Sequence, residues 1–244
     1  MWAVPWAIEG GNTMYDTLMA GLAALELPLP EENCKKLCAF GQAVVEQNKV
    51  MNLTAITEPA AVAKLHLLDS VSILKCADLK GKSLIDVGCG AGFPGVPLKI
   101  ACPGIRLTLL DSLGKRMTWL RENALPGLGV EAECITARAE EFAQQRRETY
   151  DFATSRAVAR LPILLELTAP YVKVGGAVLA MKGSAAAEEL EEAKNAIRQL
   201  GLQLEKVHHF PVDGADHAVI VLRKVRQTPA QYPRKFNRIK QLPL

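Results

Sequence analysis

The sequence lacks features that would place it in several common classes of protein. No apolar run reaches the roughly 18 residues that a membrane-spanning helix needs. The first 12 residues hold no basic region followed by a long apolar one, which argues against a secretory signal. The six cysteines form no C-x-x-C pair, so neither a zinc ribbon nor a redox motif is predicted. We expect reduced thiols, no bound metal, no membrane association and a cytoplasmic location.

Acidic residues are absent from the end of the chain. Residues 223–244 carry seven Lys or Arg and no Asp or Glu, in a protein whose overall net charge is +3. The rest of the chain therefore carries a net charge of −4. A basic tail on a mildly acidic body favours a polyanionic partner. Charge alone leaves open the alternative that this tail is solvated and only improves solubility.

The 244 residues, 49% of them hydrophobic, suffice for one large domain with an appendage. Residues 1–13 match no element and are expected to form a mobile extension, with Met14 a candidate native start. Residues 14–80 show a helical period of apolar residues, with predicted helices at 15–25, at 31–50 and from Pro59 onward. This region is predicted to be an N-terminal helical segment.

Strands and helices alternate over the predicted domain 81–225, which precedes the basic tail 226–244. The predicted strands lie at 83–88, 106–111, 132–136, 150–155, 176–182, 203–209 and 217–224. The predicted helices lie at 94–101, 114–124, 139–145, 160–171 and 185–200. Such alternation predicts an α/β fold with a mostly parallel sheet. Because no helix separates the last two strands, they should form an antiparallel edge hairpin, as in the Rossmann-like S-adenosylmethionine (SAM) methyltransferase fold.

A glycine-rich loop follows the first predicted strand. Residues 86–92 read D-V-G-C-G-A-G, and glycine lets a backbone approach a ligand closely because it has no Cβ. When the dinucleotide-binding pattern G-x-G-x-x-G is aligned to start at Gly88, its last glycine falls on Phe93 and the pattern does not match. It matches when it starts at Gly90, but it then begins two residues later after the strand than the pattern requires. The D-x-G-x-G-x-G form resembles the first motif of SAM methyltransferases, which makes Gly88, Gly90 and Gly92 candidate cofactor contacts. The alternative is a strand-to-helix turn with no ligand.

Charged residues follow the other predicted strands. The second ends in Asp111, and an acid at that place can accept hydrogen bonds from ribose hydroxyls. Arg156 follows the fourth strand between small residues, where a guanidinium is costly unless it meets an anion or a carboxylate. Glu140 and Lys182 follow the third and fifth strands. Both are candidate ligand contacts. The alternative for Glu140 is a helix start that it only caps, and the alternative for Lys182 is a solvated strand end.

These motifs belong to a longer ordered series. Its members are Asn48-Lys49, Asn52-Leu53-Thr54, His66-Leu67-Leu68-Asp69-Ser70, residues 86–95, Leu110-Asp111-Ser112, Lys115-Arg116, Ser155-Arg156-Ala157, Met181-Lys182-Gly183 and Pro243-Leu244. The series resembles the RsmG family of bacterial 16S rRNA (guanine-N7) methyltransferases, also called glucose-inhibited division protein B. The resemblance runs from residue 14 to residue 244. It departs at Phe236 and Asn237, where relatives often carry a small residue and Gly.

The resemblance implies methyl transfer from SAM to N7 of a guanine in 16S rRNA of the small ribosomal subunit, with S-adenosylhomocysteine as product. It also implies a helical segment packed on the methyltransferase domain. The implied cofactor contacts are Gly88, Phe93, Ala139, Glu140 and Arg156, and Asp111 matches the ribose acid. RNA contacts are expected at Arg116, Lys182, Arg234, Lys235 and Arg238. A monomer is expected.

No catalytic residue is predicted, because guanine N7 has a free lone pair and carries no proton that a base must remove. Positioning N7 in line with the methyl group would supply most of the catalysis. His66 and Asp69, three residues apart on a helix, are either a structural pair or part of the site. The alternatives are a small-molecule SAM methyltransferase, which would need no basic surface, and a noncatalytic RNA-binding or ribosome-assembly protein. The sequence does not identify the modified nucleotide, or whether free rRNA or the assembled subunit is the substrate.

Overall fold

Helices joined by loops make up residues 13–75, as the apolar period predicts. In the computed structural model, which describes residues 13–212 and 215–244, α1 spans Thr13–Ala24 and α2 spans Glu31–Met51. The third helix, α3, begins at Pro59, and the Glu58 side chain caps it by accepting two backbone N–H groups. Apart from Thr13, the expected extension at residues 1–13 lies outside the described residues.

A π-helical turn interrupts α3. A π turn carries an extra residue and is frequent at functional sites. His66 lies within this turn and Asp69 directly follows it, and both side chains contact Arg156 from the sheet. The four consecutive pieces of α3 are Pro59–Val62, the π turn Ala63–Leu68, Asp69–Val71 and the 3₁₀ turn Ser72–Lys75.

Seven strands form one sheet in the order β3-β2-β1-β4-β5-β7-β6. The pairs among β1 to β5 are parallel, whereas β7 is antiparallel to both β5 and β6. This arrangement confirms the predicted mostly parallel sheet with an antiparallel edge hairpin. The strands are β1 Ser83–Val87, β2 Arg106–Asp111, β3 Glu133–Thr136, β4 Tyr150–Arg156, β5 Val172–Lys182, β6 Leu202–Val212 and β7 Ala215–Lys224.

The remaining helices differ from the prediction in their bounds. The helix predicted at 139–145 ends at Phe142, and the one predicted at 185–200 divides at Ala193. Strand β5 begins four residues before the predicted 176 and continues through Gly175, whose φ of +89° suits glycine, at a bulge in the pairing with β4. The helices are α4 Gly95–Ala101, α5 Gly114–Trp119 with its continuation Leu120–Ala124 and Leu125–Leu128, α6 Ala139–Phe142, α7 Leu161–Thr168, α8 Ala186–Glu192, α9 Lys194–Gln199 and α10 Phe236–Gln241.

The sheet carries a hydrophobic core on each face. Adjacent residues of a strand point to opposite faces, so Leu84 packs in one core and Ile85 in the other. Phe40 of α2 and Leu67 of α3 share the core of Leu84 with α4 and α5. Helices α6 to α9 and Tyr232 from the tail cover the opposite face. The helical segment therefore packs on the sheet, while the domain limits at residues 80 and 225 stay a prediction.

The basic tail is tied to the body by buried hydrogen bonds. Glu166 of α7 is fully buried, and its carboxylate accepts from the backbone N–H, Nε and Nη2 of Arg234 at 2.9, 2.8 and 2.6 Å. The Arg147 guanidinium donates to the carbonyls of Thr228, Pro229 and Tyr232. Residues 228–234 of the tail are therefore part of the fold. The alternative that the tail is solvated and only improves solubility is wrong for these residues.

Removal of the Arg234 side chain should destabilise the protein severely. The substitution Arg234→Ala leaves the buried Glu166 carboxylate without its guanidinium, and breaking such a pair costs about 3–5 kcal/mol. The matched control is Arg238→Ala, since Arg238 is exposed on the same segment and surface changes stay within about 0.5 kcal/mol. Urea unfolding of the two variants measures the difference. Equal free energies of unfolding would contradict the assigned role of Arg234.

Candidate active site at the carboxyl edge of the sheet

A cavity of about 860 Å³ opens where β1, β4 and β5 end. The carboxyl ends of parallel strands are where ligands bind in open α/β sheets, and ligand pockets measure about 300–1,000 Å³. Gly88, Gly90, Phe93, Arg156 and Lys182 line this cavity among others. With Arg116, which also lines it, the structure thus brings six of the predicted site residues together around one space.

The three glycines of the loop serve different purposes. All have positive φ, +73° at Gly88, +57° at Gly90 and +100° at Gly92, a region that side chains rarely adopt. A Cβ on Gly88 would lie 2.5 Å from Val158, and one on Gly92 would press into the core at 2.8 Å from Val96. A Cβ on Gly90 would meet no atom closer than Arg116 Nη1 at 3.7 Å. Gly90 is therefore the position where a side chain would enter the cavity, and Gly92 lies outside its lining.

Two carboxylates hold the loop in place. The Asp111 carboxylate accepts from the backbone N–H of Gly90 at 2.9 Å and of Leu113 at 2.8 Å. The Asp86 carboxylate is fully buried and accepts from Gly95 N–H at 2.8 Å, while its Oδ1 has no hydrogen-bond partner among the described residues. Burial raises the pKa of Asp86 to about 7, against the opposing effect of the Gly95 hydrogen bond. These acids fix the backbone that a ligand would approach.

Arg156 is the centre of the hydrogen-bond network on one cavity wall. Its Nη1 donates to the Asp69 carboxylate at 3.0 Å and to the Leu65 carbonyl at 2.9 Å, and its Nη2 lies 3.2 Å from His66 Nδ1. The guanidinium also lies over the Phe93 ring, 5.0 Å from the centroid. The carboxylate partner that an arginine at this place requires is therefore Asp69, from the helical segment.

His66 is held neutral in this wall. Burial, followed by the positive charge of Arg156, lowers the pKa of His66 to about 4. Its ring stacks on Phe93 with centroids 4.7 Å apart, and its Nε2 lies 2.8 Å from Thr54 Oγ1. His66 and Asp69 therefore both contact Arg156 and line the cavity, which places this pair in the candidate site.

Two of the predicted RNA-binding residues line the same cavity. The Lys182 ammonium is buried and donates to the Ala159 carbonyl at 2.6 Å while it pairs with Glu189 at 2.8 Å. This pair would have to open before Lys182 contacted RNA. Arg116 is half-buried at the rim, with Nη2 3.5 Å from the Asn52 carbonyl. Of the tail residues, Lys235 and Arg238 are exposed and Arg234 is committed to Glu166.

Ala139 and Glu140 begin α6, directly after β3. The Ala139 carbonyl accepts from the Tyr171 hydroxyl at 2.5 Å, and the Glu140 carboxylate accepts from Arg138 Nε at 3.2 Å. Both residues and Asp111 lie outside the lining of the 860 Å³ cavity. They follow the neighbouring strands β3 and β2, so a ligand that reached them would extend along the sheet edge from Gly90.

Sequence reasoning missed Thr54 and His217 as lining residues. His217 Nδ1 lies 2.9 Å from the second oxygen of Asp69, so this carboxylate bridges α3, β4 and β7. The predicted antiparallel hairpin could have indicated His217. If β7 runs antiparallel to β5, the first residues of β7 lie beside the last residues of β5, at the edge where the cavity opens. Thr54 lies in the loop between α2 and α3. The motif series contained Thr54, but no local pattern places that loop beside the sheet.

Comparisons with known proteins agree with this geometry. The sequence matches the family described as rRNA small subunit methyltransferase G over residues 33–218. A ribosomal RNA small subunit methyltransferase G from Alkaliphilus oremlandii is 42% identical over 234 residues, 94% of this chain and 98% of the relative. The one from Desulfitobacterium hafniense is 43% identical and covers 86% of this chain and 89% of its own.

Solved structures share the fold at low sequence identity. A putative methyltransferase from Bacillus halodurans superposes with a TM-score of 0.54 at 15% identity, covering 65% of this chain and 99% of its own. A 16S rRNA (adenine(1408)-N(1))-methyltransferase from Catenulisporales acidiphilia superposes with a TM-score of 0.52 at 15% identity, covering 66% of this chain and 92% of its own. These neighbours confirm the predicted SAM-methyltransferase fold.

A side chain at Gly90 should abolish binding of the predicted cofactor. Gly90→Val places its methyl groups in the cavity and adds the strain of a left-handed backbone, about 1–2 kcal/mol. The control is Gly81→Val, because Gly81 has a similar φ of +71° and open space around it, away from the cavity. Calorimetric titration with S-adenosylhomocysteine should show binding for the control alone. Unchanged affinity in Gly90→Val would reject the cofactor assignment of this loop.

His66 should make the protein less stable as the pH falls from 6.5 to 4. The pKa is about 4 in the folded protein against 6.5 ordinarily, so the unfolded chain binds more protons in this window and stability rises with pH. His66→Gln removes this contribution and should flatten the dependence. Urea unfolding at a series of pH values, with an NMR titration of the imidazole, measures both. A folded-state pKa near 6.5 would overturn the argument.

Proposed function

The chain belongs to the rRNA small subunit methyltransferase G family, and we propose that it transfers the methyl group of SAM to N7 of one guanine in 16S rRNA. The family membership confirms the resemblance that the motif series indicated. The observation that carries the proposal is the placement of the glycine loop, Asp111 and Arg156 along one sheet edge beside an open cavity. An rRNA substrate agrees with the exposed basic residues of the tail.

The residues present fit the cofactor. SAM, when bound, supplies a methyl group on a positively charged sulfur and is left as S-adenosylhomocysteine. Gly90 offers the open backbone, Asp111 has the acid chemistry that ribose hydroxyls require, and Phe93 gives an apolar surface. Gly88, Gly92, Ala139, Glu140 and Arg156 complete the proposed cofactor contacts. Gly92 differs from the others in this set, because it lies against the core and would contribute by shaping the loop that holds the cofactor.

The reaction needs no general base from the chain. SAM would supply the methyl group to N7, which has a free lone pair and carries no proton, so no residue of the chain has to remove one. His66 is bonded through both ring nitrogens, and Asp69 through both oxygens, so neither is free to remove a proton. The task left to this chain is to hold the guanine in line with the methyl group and to exclude water.

The proposed RNA surface comprises Arg116 at the cavity rim and Lys235 and Arg238 on the tail. Each is at least partly exposed, and phosphate contacts from Lys and Arg supply most of the sequence-independent affinity for nucleic acid. Lys182 and Arg234 complete the predicted set, but their charges are paired within the fold. We propose that Lys182 and Arg234 support this surface rather than contact phosphates directly.

We also propose a location and an oligomeric state for the protein. Ribosomal RNA lies in the cytoplasm, and we propose that the enzyme acts there as a monomer. Among the described residues, no helix is long and apolar enough to cross a membrane.

The function is tested by mass spectrometry of rRNA nucleosides. Small subunits from cells that lack the protein are incubated with the enzyme and SAM carrying a labelled methyl group. We expect labelled 7-methylguanosine at one position, located by borohydride reduction and aniline cleavage of the RNA. The Gly90→Val variant serves as the control without cofactor. Label on another atom, or on another base, would refute the proposal.

Neutralisation of Lys235 and Arg238 should weaken RNA binding and reduce its salt dependence. The slope of log affinity against log salt should fall by up to about 0.9 for each lost phosphate contact, while affinity for SAM stays unchanged. The control is the double change Lys80→Ala with Lys82→Ala, two exposed residues that precede β1 at the opposite edge. Binding at several salt concentrations measures both slopes. Equal slopes in the two double variants would exclude the tail as a phosphate contact.

A further inference from the structure

The hydroxyl of Thr54 has hydrogen-bond partners on two sides. Its Oγ1 lies 2.8 Å from His66 Nε2 and accepts from the Ile56 backbone N–H at 3.0 Å. The loop around it is fixed, because the Asn48 side-chain oxygen accepts from the N–H groups of Leu53 and Thr54 at 2.6 and 2.9 Å. Thr54 therefore presents its hydroxyl from a defined position in the cavity lining.

Arg156 determines the direction of the bond between His66 and Thr54. A guanidinium donates hydrogen bonds and accepts none, so the 3.2 Å contact between Arg156 Nη2 and His66 Nδ1 is a hydrogen bond when Nδ1 is the acceptor. The Leu65 carbonyl also lies 3.1 Å from Nδ1, but it already accepts from Arg156 Nη1 at 2.9 Å, and a proton on Nδ1 would face the N–H groups of the guanidinium. This repulsion favours the tautomer in which the single N–H of the neutral imidazole lies on Nε2 and donates to Thr54.

A hydroxyl has two acceptor sites and one O–H donor. Since His66 and Ile56 fill both acceptor sites, the remaining capacity of Thr54 is its O–H, in the wall of the cavity. We infer that Thr54 is a specificity-determining residue that donates this hydrogen bond to O6 of the target guanine.

The chemistry of guanine fits a fixed donor at this place. Guanine presents N7 and O6 as neighbouring acceptors on one edge, whereas adenine presents an N6 amino donor where guanine has O6. A donor to O6 leaves the N7 lone pair free for the methyl group and repels adenine. The inference rests on the proposed function, since it names a residue that selects its substrate.

The position of Thr54 favours the guanine over the cofactor. The proposed cofactor contacts follow strands of the sheet, as ligand contacts do in this type of fold. Thr54 instead comes from the loop between α2 and α3, and His66 joins it from α3. The helical segment thus adds a second wall to a cavity whose first wall is the sheet edge.

The test compares Thr54→Val, which removes the hydroxyl at constant shape, with Thr54→Ser, which keeps it. Thr57→Val is the matched control, because Thr57 is exposed in the same loop and outside the cavity lining. Each enzyme acts on reconstituted small subunits with either guanine or 2-aminopurine, which lacks O6, at the methylated position. A second readout is the ¹⁵N chemical shift of the His66 ring, which should place the proton on Nε2.

We expect Thr54→Val to lose about tenfold in kcat/KM on guanine, the size of one neutral hydrogen bond, and to equal the wild type on 2-aminopurine. Thr54→Ser and Thr57→Val should keep the wild-type rate, and affinity for S-adenosylhomocysteine should not change. An equal loss on both substrates would make Thr54 merely structural, and weaker cofactor binding would assign its hydroxyl to the cofactor. Either result overturns the inference, as does a proton on Nδ1. Absence of 7-methylguanosine with the wild type would instead refute the proposed function.

Discussion

The ion pair between Arg156 and Asp69 is the interaction on which the site depends. The two side chains are 17% and 8% exposed, so neither charge has enough water around it to remain unpaired without a large cost. Arg156 ends a central strand, and Asp69 belongs to a helix that precedes the sheet in sequence. Their pairing fixes the helical segment against the carboxyl edge of the sheet, and the cavity lies between these two parts.

The same pair sets the electrostatics of the cavity wall. The Arg156 charge, together with burial, keeps His66 neutral, and the second oxygen of Asp69 holds His217. Lys182 is likewise neutralised by Glu189. A wall whose charges are already compensated presents hydroxyl and backbone groups to a ligand, which suits the proposed reaction, because methylation of N7 moves no proton.

Charge pairing also divides the basic residues of the chain into two kinds. Arg234 pairs with the buried Glu166 and Lys182 with the largely buried Glu189, and both pairs stabilise the fold. Lys235 and Arg238 stay exposed, and Arg116 lies at the rim of the cavity. Sequence composition cannot separate these kinds, because both contribute equally to net charge. The distinction matters for recognition of RNA, since a phosphate gains little from a cation that already has a carboxylate partner.

Local patterns in the sequence sufficed for the seven strands, the edge hairpin, the glycine loop and the acid Asp111. These features follow from the side-chain period and from backbone freedom over a few residues, which tertiary packing did not alter here. The tertiary structure alone decided that Asp69 meets both Arg156 and His217, which lie 87 and 148 positions away in sequence. It also decided that Thr54 faces the cavity. Such contacts depend on which elements pack together, and no short segment carries that information.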